Sequence, residues 1–159
     1  MKVRRQARVT ALQALFEIDS VNHDPEMVLQ RRLEEKSLPP SGSEFARNLV
    51  SGVLEHKTHL DELIQKNAPE WPVEQIAIID RNILRIAIFE IAIDQDTPLK
   101  VVINEAVELA KLFGSDSSPR FINGVLGSLV SQGRGSFKGP SPQEEKSSEI
   151  ITFHRLTKG

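Results

Sequence analysis

Apolar residues recur every three or four positions along most of this sequence, and that spacing constrains the fold more than any other feature. Between residues 4 and 19 it places Val9, Leu12 and Leu15 on one face of a helix. Similar stripes follow, whereas alternating strand patterns, hairpin dipeptides and internal repeats are not found. The sequence therefore predicts an all-α fold of about seven helices in one or two small bundles.

Capping signals divide the first half of the chain into elements. Asp24 followed by Pro25 predicts a second helix that ends near Lys36, and residues 37–42 are predicted as a loop. From Ser43 onward the spacing predicts either two helices or one interrupted helix, with an N-terminal cap at Thr58. Prolines then end this half on either side of Trp71, which we interpret as a packing residue.

The second half is more apolar. Residues 73–93 are apolar around nearly the whole helical circumference and are predicted to form the central helix. Thr97 followed by Pro98 repeats the cap-plus-proline signal and predicts the start of the next helix, and Ser118-Pro119 predicts the start of the last. Gly, Ser, Pro, Lys and Glu dominate after Ser131, so we expect a folded domain over residues 1–131 and a disordered tail over 132–159.

Several classes of function are excluded by composition. The 159 residues include no cysteine, which excludes disulfides, thiolate nucleophiles and zinc or iron–sulfur sites built on cysteine. His56 and His59 share a helical face but lack a third ligand, and no known catalytic motif occurs. We therefore expect no catalytic residue, metal or cofactor, and a cytoplasmic protein, since no signal peptide or membrane span is apparent.

Positive charge is concentrated at the N-terminus. Lys2, Arg4, Arg5 and Arg8 precede the first acidic residue, although the chain as a whole has a net charge of −2. Cations at a helix start oppose the macrodipole, and a bound anion would relieve that cost. We hypothesise that these side chains are exposed and contact nucleic acid; a basic end that only improves solubility is the alternative.

A second candidate anion site lies at the predicted start of the last helix. Ser118 would leave backbone N–H groups free, Arg120 adds charge, and Phe121 offers a ring that either stacks on a base or packs in the core. If the two helix starts lay side by side, they would form one groove for a flexible strand.

Two arginines on the apolar central helix are interpreted differently. Arg81 and Arg85 are spaced one turn apart, and charges on a buried helix need partners. We expect structural ion pairs with Glu90, Glu105 or Glu108 rather than ligand binding.

Four separated strings of this sequence lie at residues 4–16, 80–90, 102–114 and 121–126, in order and spread over the range 3–130. Together they resemble the NusB family of bacterial transcription antitermination factors. The resemblance implies an all-α fold of two three-helix subdomains. It also implies binding to the boxA segment of nascent ribosomal RNA together with the small-subunit ribosomal protein NusE. The implied role is processive transcription by an RNA polymerase antitermination complex that contains other Nus factors.

The resemblance also implies roles for single residues. The basic start, including Arg4, Arg5 and Arg8, matches positions that contact RNA, and Arg120 and Phe121 belong to a second RNA-proximal segment with the loop before them. Phe16 and Asp80 match positions on the NusE surface, and Glu74 is a further candidate there. The sequence departs from the family pattern in the serine-rich loop 115–119 and in its long tail.

The resemblance leaves three points open: the affinity for RNA without a partner, the class of function and the oligomeric state. About four phosphate contacts to single-stranded RNA give a salt slope near −2.8, so binding without a partner should be weak and an adaptor role fits better. A purely protein-binding helical scaffold without RNA contact is the alternative function. A homodimer is also possible, because an exposed apolar face can pair with itself.

Overall fold

The computed structural model describes residues 2–132, and all the regular structure in that range is helical. The predicted all-α fold is therefore confirmed. The predicted tail 132–159 lies outside the described residues except for Gln132, which caps the last helix. The α-helices are α1 (Lys2–Val21), α2 (Pro25–Lys36), α3 (Pro40–Glu55), α4 (Lys57–Asn67), α5 (Ile78–Ile88), α6 (Leu99–Phe113) and α7 (Ser118–Ser131).

The helices form two groups that meet along α1 and α5. In the first group α1 packs against α2 and α3; in the second, α5 packs against α6 and α7, with α4 alongside. Fully buried side chains from both groups, among them Leu12, Leu49, Ile83 and Leu126, belong to one continuous apolar core. This arrangement agrees with the predicted pair of three-helix subdomains. None of the described helices is long and apolar enough to cross a membrane.

The central segment is less regular than predicted. A 3-10 turn at Val73–Gln75 precedes α5, and a π-helical segment at Phe89–Asp94 follows it. The Gln95 N–H donates to the Glu90 carbonyl oxygen at 3.0 Å, five residues back, and Gln95 ends the segment with a φ of 56°. Apolar periodicity predicted the burial of this stretch correctly. It does not detect the one extra residue that a π-helical turn contains compared with an α-helical turn.

The predicted helix starts are correct in part. Asp24 caps α2 as predicted, since its Oδ2 accepts from the Met27 N–H at 3.1 Å. The predicted cap at Thr58 is wrong, because only His56 separates α3 from α4 and Thr58 lies inside α4. The loop before α3 is also shorter than predicted, because α3 begins at Pro40.

Two further expectations about the sequence are wrong. Thr97 does not cap α6 with its side chain; it is buried, and its hydroxyl donates to Glu90 and accepts from Arg4, each at 3.4 Å. Trp71 is not a packing residue, because it is 52% exposed on the segment between α4 and α5.

The junction of the two helix groups is held by an ion-pair network. Arg81 donates to both Asp19 oxygens, at 2.9 and 3.0 Å, and so binds α5 to α1. Arg85 donates to both Asp61 oxygens, at 2.8 and 2.9 Å, and to Asp19 at 3.0 Å. The two arginines are structural, as predicted, but the predicted partners Glu90, Glu105 and Glu108 are wrong.

Candidate nucleic-acid interface

The basic start of α1 divides into outward and inward side chains. Lys2, Arg4 and Arg5 are exposed, whereas Arg8 is buried. Arg5 and Arg8 lie less than one turn apart, yet their side chains are 51% and 5% exposed. The rotation of α1 about its axis therefore decides which cations can reach a ligand.

Arg5 is fixed by an acid of α6. Its Nε and Nη2 donate to the two carboxylate oxygens of Glu105, both at 3.0 Å. These hydrogen bonds raise the pKa of Arg5, so the guanidinium is charged at every physiological pH. Its Nη1 makes no hydrogen bond within the described residues. Arg5 is thus oriented in advance while keeping a free donor edge.

Arg4 lies at the start of α1, near the chain that leads into α6. Its Nη1 donates to Thr97 at 3.4 Å, and its Nη2 lies 3.7 Å from an Asp96 oxygen. The side chain remains half exposed, and its Cζ lies 4.6 Å from the centroid of the Phe45 ring. These weak contacts position Arg4 without burying it.

Arg8 is not the exposed ligand that the sequence predicts. Its Nε and Nη2 donate to Glu90 at 2.9 and 2.8 Å, and its Cζ lies 5.1 Å from the Phe45 centroid. The π-helical segment carries Glu90 at a buried position, where a charged partner offsets the cost of removing the carboxylate from water. Arg8 is therefore a structural cation beneath the exposed ones, and the expectation that it is exposed is wrong.

The start of α7 also differs from its prediction. Ser117, not Ser118, occupies the capping position, and Ser118 is buried with its Oγ accepting from the Ser115 N–H at 2.9 Å. Arg120 is exposed, and Phe121 is half-buried against the core. Of the three predicted residues at this helix start, Arg120 and the exposed part of Phe121 are therefore available to a ligand, and Ser118 is not.

The two helix starts do not lie side by side. Arg4 contacts Thr97, just before α6, whereas Gly114, which follows α6, lies against Ser118. The 15 residues of α6 separate these ends by about 22 Å. The condition for one groove formed by both helix starts is not met.

The predicted partner-binding residues fall into two places. Phe16 and Asp80 line the same groove of about 350 Å³, together with Phe113 and the buried Ser118. Glu74 is exposed on the 3-10 turn and is not among the groove's lining residues. The structure thus brings together two of the three predicted residues.

Asp80 is an unusual member of that groove. Its side chain is buried at the start of α5, and its Oδ1 has no hydrogen-bond partner among the described residues. Burial raises the pKa of Asp80, and the neighbouring Ser118 hydroxyl offsets this only in part. A hydrogen-bond donor that reached the buried Asp80 Oδ1 from the groove would satisfy this unpaired oxygen.

The described residues contain no group of three or more His, Asp or Glu side chains that could hold a metal ion. The His56 ring lies 6.2 Å from the Phe89 ring, and His59 Nδ1 lies 3.9 Å from a Glu62 oxygen. These surroundings give neither histidine a metal-ligand set.

Comparison with known proteins agrees with this geometry. A sequence model described as the NusB family matches residues 5–131. The chain belongs to the NusB family. This family consists of transcription antitermination factors and not of enzymes.

Individual NusB proteins are similar over most of their length. The transcription antitermination protein NusB of Roseiflexus sp. is 55% identical over 139 residues, which cover 86% of this chain and 98% of that protein. The structure of T. maritima NusB is 32% identical, covers 82% of this chain and 92% of its own, and superposes with a TM-score of 0.76.

A second NusB structure contains partners. It is a crystal structure of the antitermination factors NusB and NusE in complex with double-stranded RNA. That chain is 26% identical, covers 83% of this chain and 98% of its own, and gives a TM-score of 0.77.

The sequence did not reveal which acidic side chains orient the arginines at the start of α1. Glu90 and Glu105 were assigned to the arginines of α5, but they pair with Arg8 and Arg5 of α1. The sequence did contain a signal for this pairing. The α1 segment has several arginines and no acid before Glu17, and acidic side chains on apolar helices such as these require cationic partners.

Proposed function

We propose that this chain binds the boxA segment of nascent ribosomal RNA together with ribosomal protein NusE. It does so within an RNA polymerase antitermination complex that includes other Nus factors. Transcription in bacteria is cytoplasmic, so the proposal also assigns the protein to that compartment. The crystal structure of a related NusB with NusE and RNA supports the choice of both partners.

The observation that carries the proposal is the state of Arg5. Its guanidinium is oriented by Glu105, half exposed and left with free donors, which is the arrangement expected of a phosphate ligand. Lys2 and Arg4 extend the same exposed cationic end, and Arg120 with Phe121 adds a contact at the far end of α6. Buried Arg8 and Ser118 support these positions without touching RNA.

We assign the groove that contains Phe16 and Asp80 to NusE, with Glu74 at its outer margin. The groove is mainly apolar, and Phe16 is one of the few large apolar side chains exposed on the described surface. Phe16→Ala is expected to weaken NusE association in a titration calorimetry experiment while the protein still unfolds cooperatively on heating, because the ring is partly exposed at 37%. Unchanged association would remove this groove from the interface.

The RNA part is tested by fluorescence anisotropy of a short boxA-containing RNA with this protein, alone and with equimolar NusE, across a salt series. Four phosphate contacts predict a salt slope of about −2.8 and weak binding by the protein alone. NusE should tighten binding to single-stranded boxA RNA more than to a scrambled sequence or a duplex. Absence of binding at low salt in both conditions would instead favour a scaffold that binds only proteins.

A homodimer over the Phe16 groove is the competing use of that surface. Sedimentation velocity of the protein alone distinguishes the two cases. NusE should convert any dimer to a heterodimer, because both would cover the same apolar side chains.

A further inference from the structure

A groove between α1 and α3 adjoins the basic helix start and is not used by the proposed contacts. It has a volume of about 650 Å³ and is open to solvent. This size is typical of small-ligand sites and accommodates a single nucleotide. The groove side chains that matter here are Arg4 of α1 and Glu44, Phe45, Arg47, Asn48 and Ser51 of α3.

The Phe45 ring anchors the cations at the α1 side of this groove. Arg4 and Arg8 place their Cζ atoms 4.6 and 5.1 Å from the ring centroid. Arg8 is buried, but Arg4 is half exposed and lines the groove. A planar guanidinium fixed in this way is a stacking surface for an unpaired base.

The α3 side of the groove carries unused hydrogen-bonding groups. The side chains of Asn48, Ser51 and Glu44 make no hydrogen bond or ion pair within residues 2–132. Arg47 uses only Nη2, which donates to Gln30 Oε1 at 2.9 Å. The wall therefore offers an amide, a hydroxyl, a carboxylate acceptor and a partly free cation, all of them on one helix.

We infer that this groove binds one unpaired nucleotide of single-stranded RNA. The base stacks on the Arg4 guanidinium, and its phosphate lies toward Arg4 and Arg47. Glu44 accepts from an exocyclic amine, which favours cytosine, adenine or guanine over uracil. A base within a duplex stays stacked and cannot enter. This inference rests on the proposed RNA-binding function and adds a point of base recognition to it.

The test combines an altered groove with altered RNA. Asn48→Leu with Ser51→Leu fills the wall without changing charge and without adding an aromatic ring. The wild type and this groove variant, each bound to NusE, are titrated by anisotropy with boxA RNA. They are also titrated with a series of boxA RNAs in which one nucleotide at a time is abasic. At one position the abasic RNA should bind the wild type about tenfold more weakly, as expected for the loss of one stacked base.

The groove variant should bind intact RNA about tenfold more weakly and show no further loss with that abasic RNA. Its salt slope should differ from that of the wild type by no more than one phosphate contact, about 0.7, because every cation is retained. Uracil at the same position should weaken wild-type binding, and Glu44→Gln should reduce that discrimination.

The matched control is Ser128→Leu with Ser131→Leu, which makes the same kind of change at two exposed positions of α7 with the same spacing. It should bind RNA like the wild type. If the groove variant also binds like the wild type, or if no abasic position affects wild-type binding, the inference is wrong. Loss of binding in Arg5→Glu would then show that the proposed function stands without this groove; normal binding by that variant as well would overturn both.

Discussion

At the scale of residues, the basic helix start is a layered arrangement rather than a row of equal cations. Arg8 lies inside, paired with Glu90 and covered by Phe45, while Arg5 lies outside with only its Glu105-facing edge engaged. The inner pair stabilises the fold and fixes α1 against the π-helical segment. The outer pair orients a side chain that remains available to a ligand.

Arg8→Met therefore tests folding rather than binding. It leaves Glu90 buried without its bidentate partner, and removing one member of a buried pair costs about 3–5 kcal/mol. Urea denaturation should show this loss in the free energy of unfolding. Arg5→Met, the control, should lose less, because the half-exposed guanidinium leaves a space that water enters to solvate the buried Glu105 carboxylate. Equal losses in the two variants would contradict the assignment of inner and outer layers.

At the scale of elements, two close contacts decide how the helices fit. Asp19 joins α1 to α5 by accepting from Arg81, Asn82 and Arg85. Gly52 allows the Phe89 ring to lie directly against the α3 backbone, where a Cβ atom would clash with the ring. Both contacts join segments that are distant in sequence.

The Asp19 network predicts a specific loss of stability in acid. Burial alone would raise the pKa of Asp19, but the hydrogen bonds from Arg81 and Asn82 and the charge of Arg85 outweigh it and hold the pKa at about 2. An unfolded aspartate titrates near 3.9, so this stabilisation is complete above about pH 4 and is lost as the pH falls through about 2. Free energies of unfolding measured from pH 6 to 2 should fall less steeply in Asp19→Asn. Parallel curves for the two proteins would refute this role.

Gly52→Ala should destabilise the protein by about 1–3 kcal/mol, because the Phe89 ring must move out of a packed core. Gly127 on α7 provides the control, since a Cβ there meets nothing within 4 Å. Gly127→Ala should raise stability by about 0.5–1 kcal/mol through helix propensity. Thermal denaturation distinguishes the two, and a stabilised Gly52→Ala would show that α3 does not pack against Phe89 as described.

At the scale of the whole molecule, local sequence patterns predicted the positions of the helices better than they predicted contacts between residues distant in sequence. Apolar spacing located the long helices, and the Asp24-Pro25 signal located one start, because each depends on residues close in sequence. Burial of Arg8, the π-helical turn at Glu90 and the partners of Arg81 depend instead on how α1 rotates against α5 and α6. The distance between the starts of α1 and α7 likewise follows from the path of α6 through the fold. No local sequence signal predicts that path.

The proposed RNA binding depends on one surface of the molecule, the exposed end of α1. Arg5 and Arg31 are matched for a test of that surface, since both are about half exposed and both pair with a glutamate. Arg31 lies on α2, and its partner Glu17 is 12 residues, or about 18 Å, along α1 from Arg5, so charge reversal there changes the net charge without changing the exposed end of α1.

The decisive measurement is the affinity of the NusE-bound protein for boxA RNA in wild type, Arg5→Glu and Arg31→Glu at one fixed salt concentration. We predict that Arg5→Glu weakens binding at least tenfold, on the order expected for losing a charge-assisted contact, while Arg31→Glu stays near the wild type. Equal affinities for all three proteins, or equal losses in the two variants, would contradict RNA binding at this site.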